Sequence, residues 1–301
     1  MEFIIVEIGS TNTKAFINKG EDLESLGFVT IEFKDNFKKE NKIADSDKEK
    51  LFNYIAELKK KCTNIYVYGT SVFRNLDDEA KKLWLEEFRN RTGYDFTIVS
   101  SEKENRYTTY GAFDKSYKGS IAIMIGGGAS TELAIFDNGE LVEEQFYNFG
   151  VTSATDKFPD IRSDKVQSDY KDMLEYMKSL IDNPAEHKAD VLVLAGGDHI
   201  YFAEGAKYPI QKNKFYDNKL HPYYMEIADC DKEDQKFFYE TSLDEICHRT
   251  NKESWWRGVR GMRLCVKTLC DMLDVKYVIP TSINMIYGIA EEIKNENRDR
   301  S

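Results

Sequence analysis

The chain has 301 residues, of which 41% are hydrophobic and 13% aromatic, and its formal net charge is −11. This composition excludes a disordered chain, and the acidic balance argues against nonspecific binding to nucleic acid or to anionic membranes, which requires a basic face. No apolar run reaches the roughly 20 residues that span a bilayer, no signal-peptide pattern opens the sequence, and the five cysteines form no C-x-x-C pair, so we expect a soluble cytoplasmic protein.

The first part of the chain predicts strands followed by alternating helices and strands, which is typical of an α/β domain. Apolar runs and alternation predict strands at residues 3–8, 14–17, 23–33, 65–68 and 96–99. Helical spacing of apolar residues predicts helices at 46–62, 77–92 and 102–113. Ser46 is the expected N-cap of the first helix. The lysine-rich segment 34–42 is predicted as a surface loop, and a basic lip for a polyanion is the alternative.

From residue 120 the opening pattern restarts. A glycine-rich turn, 126–131, separates the apolar runs 121–125 and 132–136, and a second tight turn at 137–140 leads into a run at 141–147. The chain opens with the same order of strand, small-residue turn, strand, tight turn and strand. We interpret this repetition as an internal duplication that produces two similar domains.

The remaining elements complete the second domain and close the chain. Helices are expected at 163–182, 243–249, 257–273 and 282–295, and strands at 191–195 and 277–280. Residues 207–234 are expected to be irregular, and the charged tail to Ser301 is expected to fray. The predicted domains are therefore 1–117 and 118–281, with 282–301 packing back on the first.

The glycine-rich turn carries the first functional signal. Gly126, Gly127 and Gly128 have no side chain, so the backbone can approach a ligand closely, and successive N–H groups in such a turn form an anion-binding concavity. A phosphate cradle is one interpretation. An ordinary hairpin with a glycine-rich turn is the other.

Four segments together resemble a known family. Residues 7–13 (EIGSTNT) and 125–132 (IGGGASTE) resemble the paired phosphate loops of the actin-like ATPase superfold. Residues 70–74 (TSVFR) and 99–106 (VSSEKENR) look like the Thr-Ser-x-x-Arg and Glu-Glu-x-Arg segments of the exopolyphosphatase and guanosine pentaphosphate phosphohydrolase family. Residues 149–152 (FGVT) match the strand that follows the loop in that family. The resemblance implies two ribonuclease H-like (actin-like) domains that face each other across a phosphate-binding cleft.

The resemblance also implies roles for single residues. Glu104 matches the catalytic glutamate that orients or deprotonates the attacking water, and Arg74 matches a phosphate-facing arginine. Glu7 and Glu132 are the expected ligands of a Mg²⁺ cofactor. The expected phosphate-binding residues are Ser10, Thr11, Asn12, Thr13, Lys14, Arg106, Gly126, Gly127, Gly128, Ala129 and Ser130.

Each assignment has a structural alternative. Each cation could form a surface salt bridge, and Glu104 could be a solvated helix carboxylate that pairs with Lys103 or Arg106. Asp198, after the double glycine at 196–197, is expected to be the N-cap of the following helix.

Three departures from the family pattern bear on activity. Glu7 stands where the family has aspartate, and either Met124 or Ile125 stands where its second loop has aspartate. Residues 286–288 (IYG) stand where the family has Arg-Glu-Gly. A changed metal site, a short substrate or lost catalysis would each be compatible with these differences.

The leading hypothesis is a Mg²⁺-dependent phosphoanhydride hydrolase that acts on a small anionic phosphorylated substrate, either inorganic polyphosphate or a guanosine penta- or tetraphosphate. A non-catalytic phosphate- or nucleotide-binding regulator of the same fold is the first alternative. An actin-like kinase or activator ATPase is the second, since fold alone does not decide function. A homodimer is compatible with the sequence, and neither a nucleic-acid nor a membrane partner is expected.

Overall fold

The computed structural model describes residues 2–20, 22–40, 42–250 and 252–299, without the side chains at 39, 40, 254 and 299. The end of the predicted frayed tail, including Ser301, lies outside the described residues. The chain divides into two compact units, one of Met1–Tyr107 with Met285–Ser301 and one of Thr108–Asn284. Among the described residues, no helix combines the length and apolar character that crossing a membrane requires.

The first unit is built on a five-stranded sheet. Its strands are β1 (Phe3–Ile8), β2 (Asn12–Lys19), β3 (Asp22–Thr30), β4 (Ile65–Gly69) and β5 (Phe96–Ile98). They lie in the order β3-β2-β1-β4-β5; β1, β2 and β3 form an antiparallel meander, and β4 and β5 run parallel to β1. Its helices are α1 (Phe33–Glu40), α2 (Asp45–Lys59), α3 (Asp78–Thr92) and α4 (Ser101–Ala112), whose end passes into the second unit, with a 3₁₀ helix at Ser71–Asn75.

The second unit contains the same arrangement with additions. Its strands are β6 (Ser120–Gly126), β7 (Thr131–Asp137), β8 (Glu140–Tyr147), β9 (Val191–Ala195), β10 (Gln211–Lys212), β11 (Tyr223–Glu226) and β12 (Tyr277–Pro280). Its helices are α5 (Val151–Lys157), α6 (Tyr170–Ser179), α7 (His199–Gly205), α8 (Ile227–Tyr239), α9 (Leu243–Thr250) and α10 (Glu253–Leu273), with a 3₁₀ helix at Pro159–Arg162. The last helix of the chain, α11 (Met285–Asp299), belongs to the first unit.

The sheet order confirms the predicted duplication. In the second unit the order is β10-β11-β12-β9-β6-β7-β8, in which β6, β7 and β8 repeat the opening meander. Strands β9 and β12 run parallel to β6, as β4 and β5 do to β1, and β10 and β11 are antiparallel additions at the edge. The chain therefore has the predicted fold class, with two ribonuclease H-like units of the actin-like type.

Alternation along β1 separates two packing faces. Ile4, Val6 and Ile8 point into the main core of the first unit, with α2 and α3. Phe3 and Ile5 point to the opposite face, where they pack against α4 and α11. Since side chains alternate along a strand, Glu7 shares that second face.

Two predictions in the first unit were wrong in detail. The lysine-rich segment predicted as a loop forms α1, because Phe33 and Phe37 lie one helical turn apart and both pack on the core of the unit. Ser46 lies inside α2 rather than capping it; the N-cap position is Ala44, whose side chain makes no cap hydrogen bond.

The second unit departs more from the prediction. Residues 149–152 were matched to a strand, but α5 begins at Val151. The helix predicted at 163–182 begins only at Tyr170, where the Asp169 side chain accepts hydrogen bonds from the first N–H groups. The segment 207–234, predicted as irregular, contains β10, β11 and the start of α8.

A carboxylate on β8 fixes the segment that leads into β9. The Glu143 carboxylate accepts hydrogen bonds from the Gln145 side chain and from the backbone N–H groups of Glu186 and His187, and it contacts the His187 ring. Burial opposes its ionisation, but these hydrogen bonds outweigh burial and lower the pKa of Glu143 from 4.5 to about 2.

Glu143 is therefore expected to stabilise the second unit in a pH-dependent way. Because its folded-state pKa is depressed, its contribution is fully present above pH 4.5 and is lost as the pH falls towards about 2. Glu143→Gln should lower stability at neutral pH and flatten the loss of stability across this window, measured by denaturant unfolding at several pH values. Glu144→Gln, the exposed neighbour on β8, is the control; an equal effect in both variants would contradict the assignment.

Candidate active site

The motifs of the first unit meet at one edge of its sheet. Because β1, β4 and β5 are parallel, their carboxyl ends lie at the same edge. The N–H of Thr70, just after β4, donates to the carbonyl of Ile8 at 3.0 Å, and the N–H of Val99, just after β5, donates to the carbonyl of Gly69 at 2.9 Å. The turn after β1, the 3₁₀ helix after β4 and α4 after β5 are thereby held together.

The turn after β1 presents open amides. Its ends are closed by a hydrogen bond of 3.0 Å from the Gly9 N–H to the Asn12 carbonyl. The carbonyls of Ser10 and Thr11 each accept a bond of 2.9 Å, the first from the N–H of Lys34 in α1 and the second from the N–H of Ile31 before it. Within the described part of the chain, the N–H groups of Ser10 and Thr11 donate to no acceptor. Two adjacent N–H groups of this kind can bind an anion.

The two predicted catalytic side chains form an ion pair. Nη1 of Arg74 lies 2.6 Å from Oε2 of Glu104 and also donates to the Val99 carbonyl at 3.1 Å. Both side chains are about one third exposed, at 27% and 32%. The contact holds the carboxylate in one orientation while leaving it accessible to solvent.

The backbone that presents Arg74 is strained. Ser71, the first residue of its 3₁₀ helix, has φ 43°, in the left-handed region that costs a residue with a side chain about 1–2 kcal/mol. Strain of this kind clusters at functional sites. No sequence pattern predicts this strain, because serine shows no general preference for the left-handed conformation.

Glu7 on β1 interacts electrostatically with Lys14 and with Glu104. It is the cross-strand partner of Lys14, and its Oε2 is buried without a hydrogen-bond partner among the described residues. Burial raises the pKa of Glu7, Lys14 lowers it and Glu104 raises it further. A buried carboxylate oxygen without a partner, beside a second carboxylate, is an environment that a divalent cation would stabilise.

The two carboxylates of Glu7 and Glu104 are too few to coordinate a metal ion by themselves. No cluster of three or more metal-ligating His, Cys, Asp or Glu side chains occurs in the described ranges. Mg²⁺, however, is commonly held by one or two carboxylates together with waters and substrate phosphates. Glu7 therefore fits a Mg²⁺ ligand, although not a site made of protein alone.

The turn after β6 repeats the geometry of the first turn. The Gly127 N–H donates to the Ser130 carbonyl at 2.8 Å, and the N–H groups of Gly128 and Ala129 have no acceptor among the residues that the structure describes. The start of α5 supports this turn, since the Val151 N–H donates to the Gly127 carbonyl at 3.1 Å. Four of the residues predicted to bind phosphate, namely Gly127, Gly128, Ala129 and Ser130, thus lie in a turn with two open amides.

The hydrogen bond from Gly127 to Ser130 corresponds to the one from Gly9 to Asn12, and this correspondence relates the residues of the two turns. Glu132 in β7 takes the place of Lys14 in β2, and Ile125 in β6 takes the place of Glu7 in β1. Ile125, rather than Met124, is therefore the residue equivalent to Glu7. The Glu132 carboxylate accepts a 3.0 Å hydrogen bond from Ser130, so the hydroxyl and the acid predicted here are already paired.

A model of the Ppx/GppA phosphatase family matches residues 27–205, which is more than half of the chain. The chain belongs to the Ppx/GppA phosphatase family. No curated protein matches it significantly in sequence.

Solved structures of Ppx/GppA proteins share its fold. One structure of the Aquifex aeolicus Ppx/GppA family member is 18% identical, with 99% of each chain covered and a TM-score of 0.73. An exopolyphosphatase from Cytophaga hutchinsonii is 12% identical over 98% of each chain, with a TM-score of 0.68. An exopolyphosphatase-like protein is 14% identical over 96% of each chain, with a TM-score of 0.62.

Other predicted residues have different positions in this Ppx/GppA protein. Arg106 is exposed on α4, two residues after Glu104. Gly126 is the last residue of β6, where a Cβ would lie 2.6 Å from the Met262 sulfur, so a side chain there would require the Met262 side chain to move. Asp198 is at the N-cap position of α7, as predicted, but makes no side-chain cap hydrogen bond. Burial lowers the pKa of His199 to about 4, so it is neutral at pH 7 and adds no positive charge.

Proposed function

We propose that this Ppx/GppA protein is a Mg²⁺-dependent phosphoanhydride hydrolase that releases the terminal phosphate of inorganic polyphosphate or of a guanosine penta- or tetraphosphate. The observation that carries the proposal is the Glu104 carboxylate, oriented by Arg74 at 2.6 Å on the sheet edge that also bears the open amides of Ser10 and Thr11. A general base and an anion-binding turn on one edge are the parts that water attack on a phosphoryl group requires.

In the proposed reaction, the open amides and Lys14 bind the oxygens of the terminal phosphoryl group, with the side chains of Asn12 and Arg106 as further ligands. The predicted ligand Thr13 is fully buried in β2, so its side chain is not accessible to a substrate. Glu104 accepts a proton from the attacking water while the new P–O bond forms. The anhydride P–O bond breaks, and its electron pair leaves on the bridging oxygen of the shortened substrate. Arg74 orients Glu104 and adds positive charge where negative charge accumulates.

Mg²⁺ would offset the negative charge of the phosphate oxygens. Glu7, with its unpartnered buried oxygen, is the proposed ligand in the first unit, and Glu132 is the proposed ligand in the second. In the second unit the amides of Gly128 and Ala129 are proposed to bind phosphate as well. The geometry of this turn, which copies that of the first, supports that assignment.

Phosphate release is expected from the purified protein with polyphosphate or guanosine pentaphosphate in the presence of Mg²⁺. Removing the metal with EDTA should abolish release, and added Mg²⁺ should restore it, because the substrate brings several negative charges to a site that already holds Glu7 and Glu104. Glu7→Gln should raise the Mg²⁺ concentration that gives half-maximal activity. A colorimetric phosphate assay measures all three outcomes.

Release that is unaffected by EDTA would contradict the metal requirement. A second candidate function, a non-catalytic phosphate- or nucleotide-binding regulator, is favoured by Ile125, which removes a carboxylate from the second turn. Tight binding of the same substrates without turnover would select the regulator. Phosphoryl transfer from ATP to an acceptor would instead select a kinase.

A further inference from the structure

We infer that Gly288 and Glu292 of α11 are positioning residues that hold α4, and with it Glu104, in the catalytic geometry. The inference rests on the proposed function for the role of Glu104. All the contacts involved lie within the first unit. Through them the terminal helix α11 would set the position of the catalytic carboxylate, in addition to packing on the sheet.

The first contact is a backbone approach between two helices. A Cβ built on Gly288 would lie 2.1 Å from the carbonyl oxygen of Tyr107 and 2.8 Å from its Cα. Real Cβ atoms essentially never come so close, so only glycine allows α11 to approach α4 to this distance. Any side chain at 288 must push the two helices apart.

The second contact is a side-chain bond one helical turn further along α11. The hydroxyl of Tyr107 donates to Oε2 of Glu292 at 2.5 Å, and the Tyr107 side chain is only 7% exposed. Burial, together with this hydrogen bond, raises the pKa of Tyr107. Gly288 fixes the distance between the helices, and Glu292 fixes the rotation of α4 about its axis.

Tyr107 is close to the catalytic residue on α4. It lies three residues after Glu104, and residues three apart are neighbours on a helix surface. Glu104 in turn forms the ion pair with Arg74. A shift of α4 at Tyr107 therefore moves the carboxylate relative to Arg74 and to the turn after β1.

The same helix also packs beneath the strands that lead to the site. Buried residues of α11, namely Met285, Ile286, Ile289, Ala290 and Ile293, form one cluster with Phe3 and Ile5 of β1, Tyr68 of β4 and Val99 before α4. Ile286, which stands where the family has arginine, is fully buried in this cluster. The elements that carry Glu7, Arg74 and Glu104 thus share one support.

Gly288→Ala tests the inference. The added methyl group should displace α4, and a displacement of about 1 Å of a catalytic group can cost on the order of a hundredfold in rate. We expect kcat for phosphate release, per folded molecule, to fall by about tenfold to a hundredfold with KM nearly unchanged, since the turn that binds phosphate is not touched. Hydrogen exchange of the α4 amides should become faster.

Matched variants separate positioning from general destabilisation. Gly258→Ala places a methyl group in α10 at an ordinary 3.4 Å from Val151 and should leave both readouts unchanged. Tyr107→Phe and Glu292→Ala each remove the hydrogen bond between the two side chains and should each lower kcat. The double variant should be no worse than the more severe single variant, because both substitutions remove the same bond.

Unchanged kcat and unchanged α4 exchange in Gly288→Ala would overturn the inference. If the wild type releases no phosphate, the proposed function fails by that result alone. Hydrogen exchange then still tests whether α11 holds α4 in place. Faster exchange of the α4 amides in Gly288→Ala but not in Gly258→Ala would require the contact between Gly288 and Tyr107.

Discussion

Glu104→Gln is expected to lower phosphate release by roughly 10²- to 10⁴-fold, the range that a general base contributes. The amide cannot accept the proton of the attacking water at neutral pH, but it is nearly isosteric with the carboxylate and its oxygen can still accept the hydrogen bond from Arg74. Substrate binding should be retained, because the open amides of the turn after β1 are untouched. The measurement is kcat with polyphosphate, together with the unfolding transition of the variant.

The control lies on the same helix. Glu102 is exposed in the first turn of α4, two residues before Glu104, and Glu102→Gln should release phosphate at the wild-type rate. A folded Glu104→Gln variant with full activity would refute the assignment of the base. Loss of activity in both variants would show that activity depends on the net negative charge of α4 and not on one positioned carboxylate.

Much of the fold was predictable because it depends on local patterns. The meander of each unit follows from alternating apolar residues and from turns such as Asn138-Gly139, where both residues have positive φ. The failures occurred where packing outweighed composition. α1 has a lysine-rich sequence, yet two phenylalanines bury one of its faces. α5 begins directly after Gly150, where a Cβ would lie 2.6 Å from the carbonyl oxygen of Gly127 in the adjoining turn.

The candidate site was predictable only in part. The ordered motifs indicated Glu104 and Arg74, but their contact joins residues 30 positions apart, and no local pattern reports such a distance. The equivalence of Lys14 and Glu132 required the strand register. The approach of Gly288 to Tyr107 joins α11 to α4 across the whole second unit in sequence and leaves no trace in either segment alone.

A buried ion pair in the second unit was not predicted for the same reason. Asp234 on α8 and Arg263 on α10 are 0% and 2% exposed and make two hydrogen bonds, of 2.8 and 3.1 Å. The hydroxyls of Tyr170 and Tyr208 also donate to Asp234. Burial alone would lower the pKa of Arg263, but Asp234 outweighs it and raises that pKa above its ordinary value.

Asp234→Ala is therefore expected to cost about 3–5 kcal/mol of the free energy of unfolding of the second unit, as measured by denaturant unfolding. The substitution leaves a guanidinium charge buried without its counter-ion and leaves two buried hydroxyls without an acceptor. Asp234→Asn, which retains an acceptor but not the charge, should cost less. It provides a measurable variant if the alanine protein does not fold.

Two further variants decide whether the cost arises from the unpaired charge. Asp229→Ala, on the same helix, removes only a surface ion pair with Lys232 and should change stability by less than about 1 kcal/mol. The double variant Asp234→Leu/Arg263→Met removes both charges and should recover much of the loss, because apolar side chains can replace a buried pair without a desolvation cost. A double variant as unstable as Asp234→Ala would show instead that the two tyrosine hydrogen bonds, which both variants lose, carry the stabilisation.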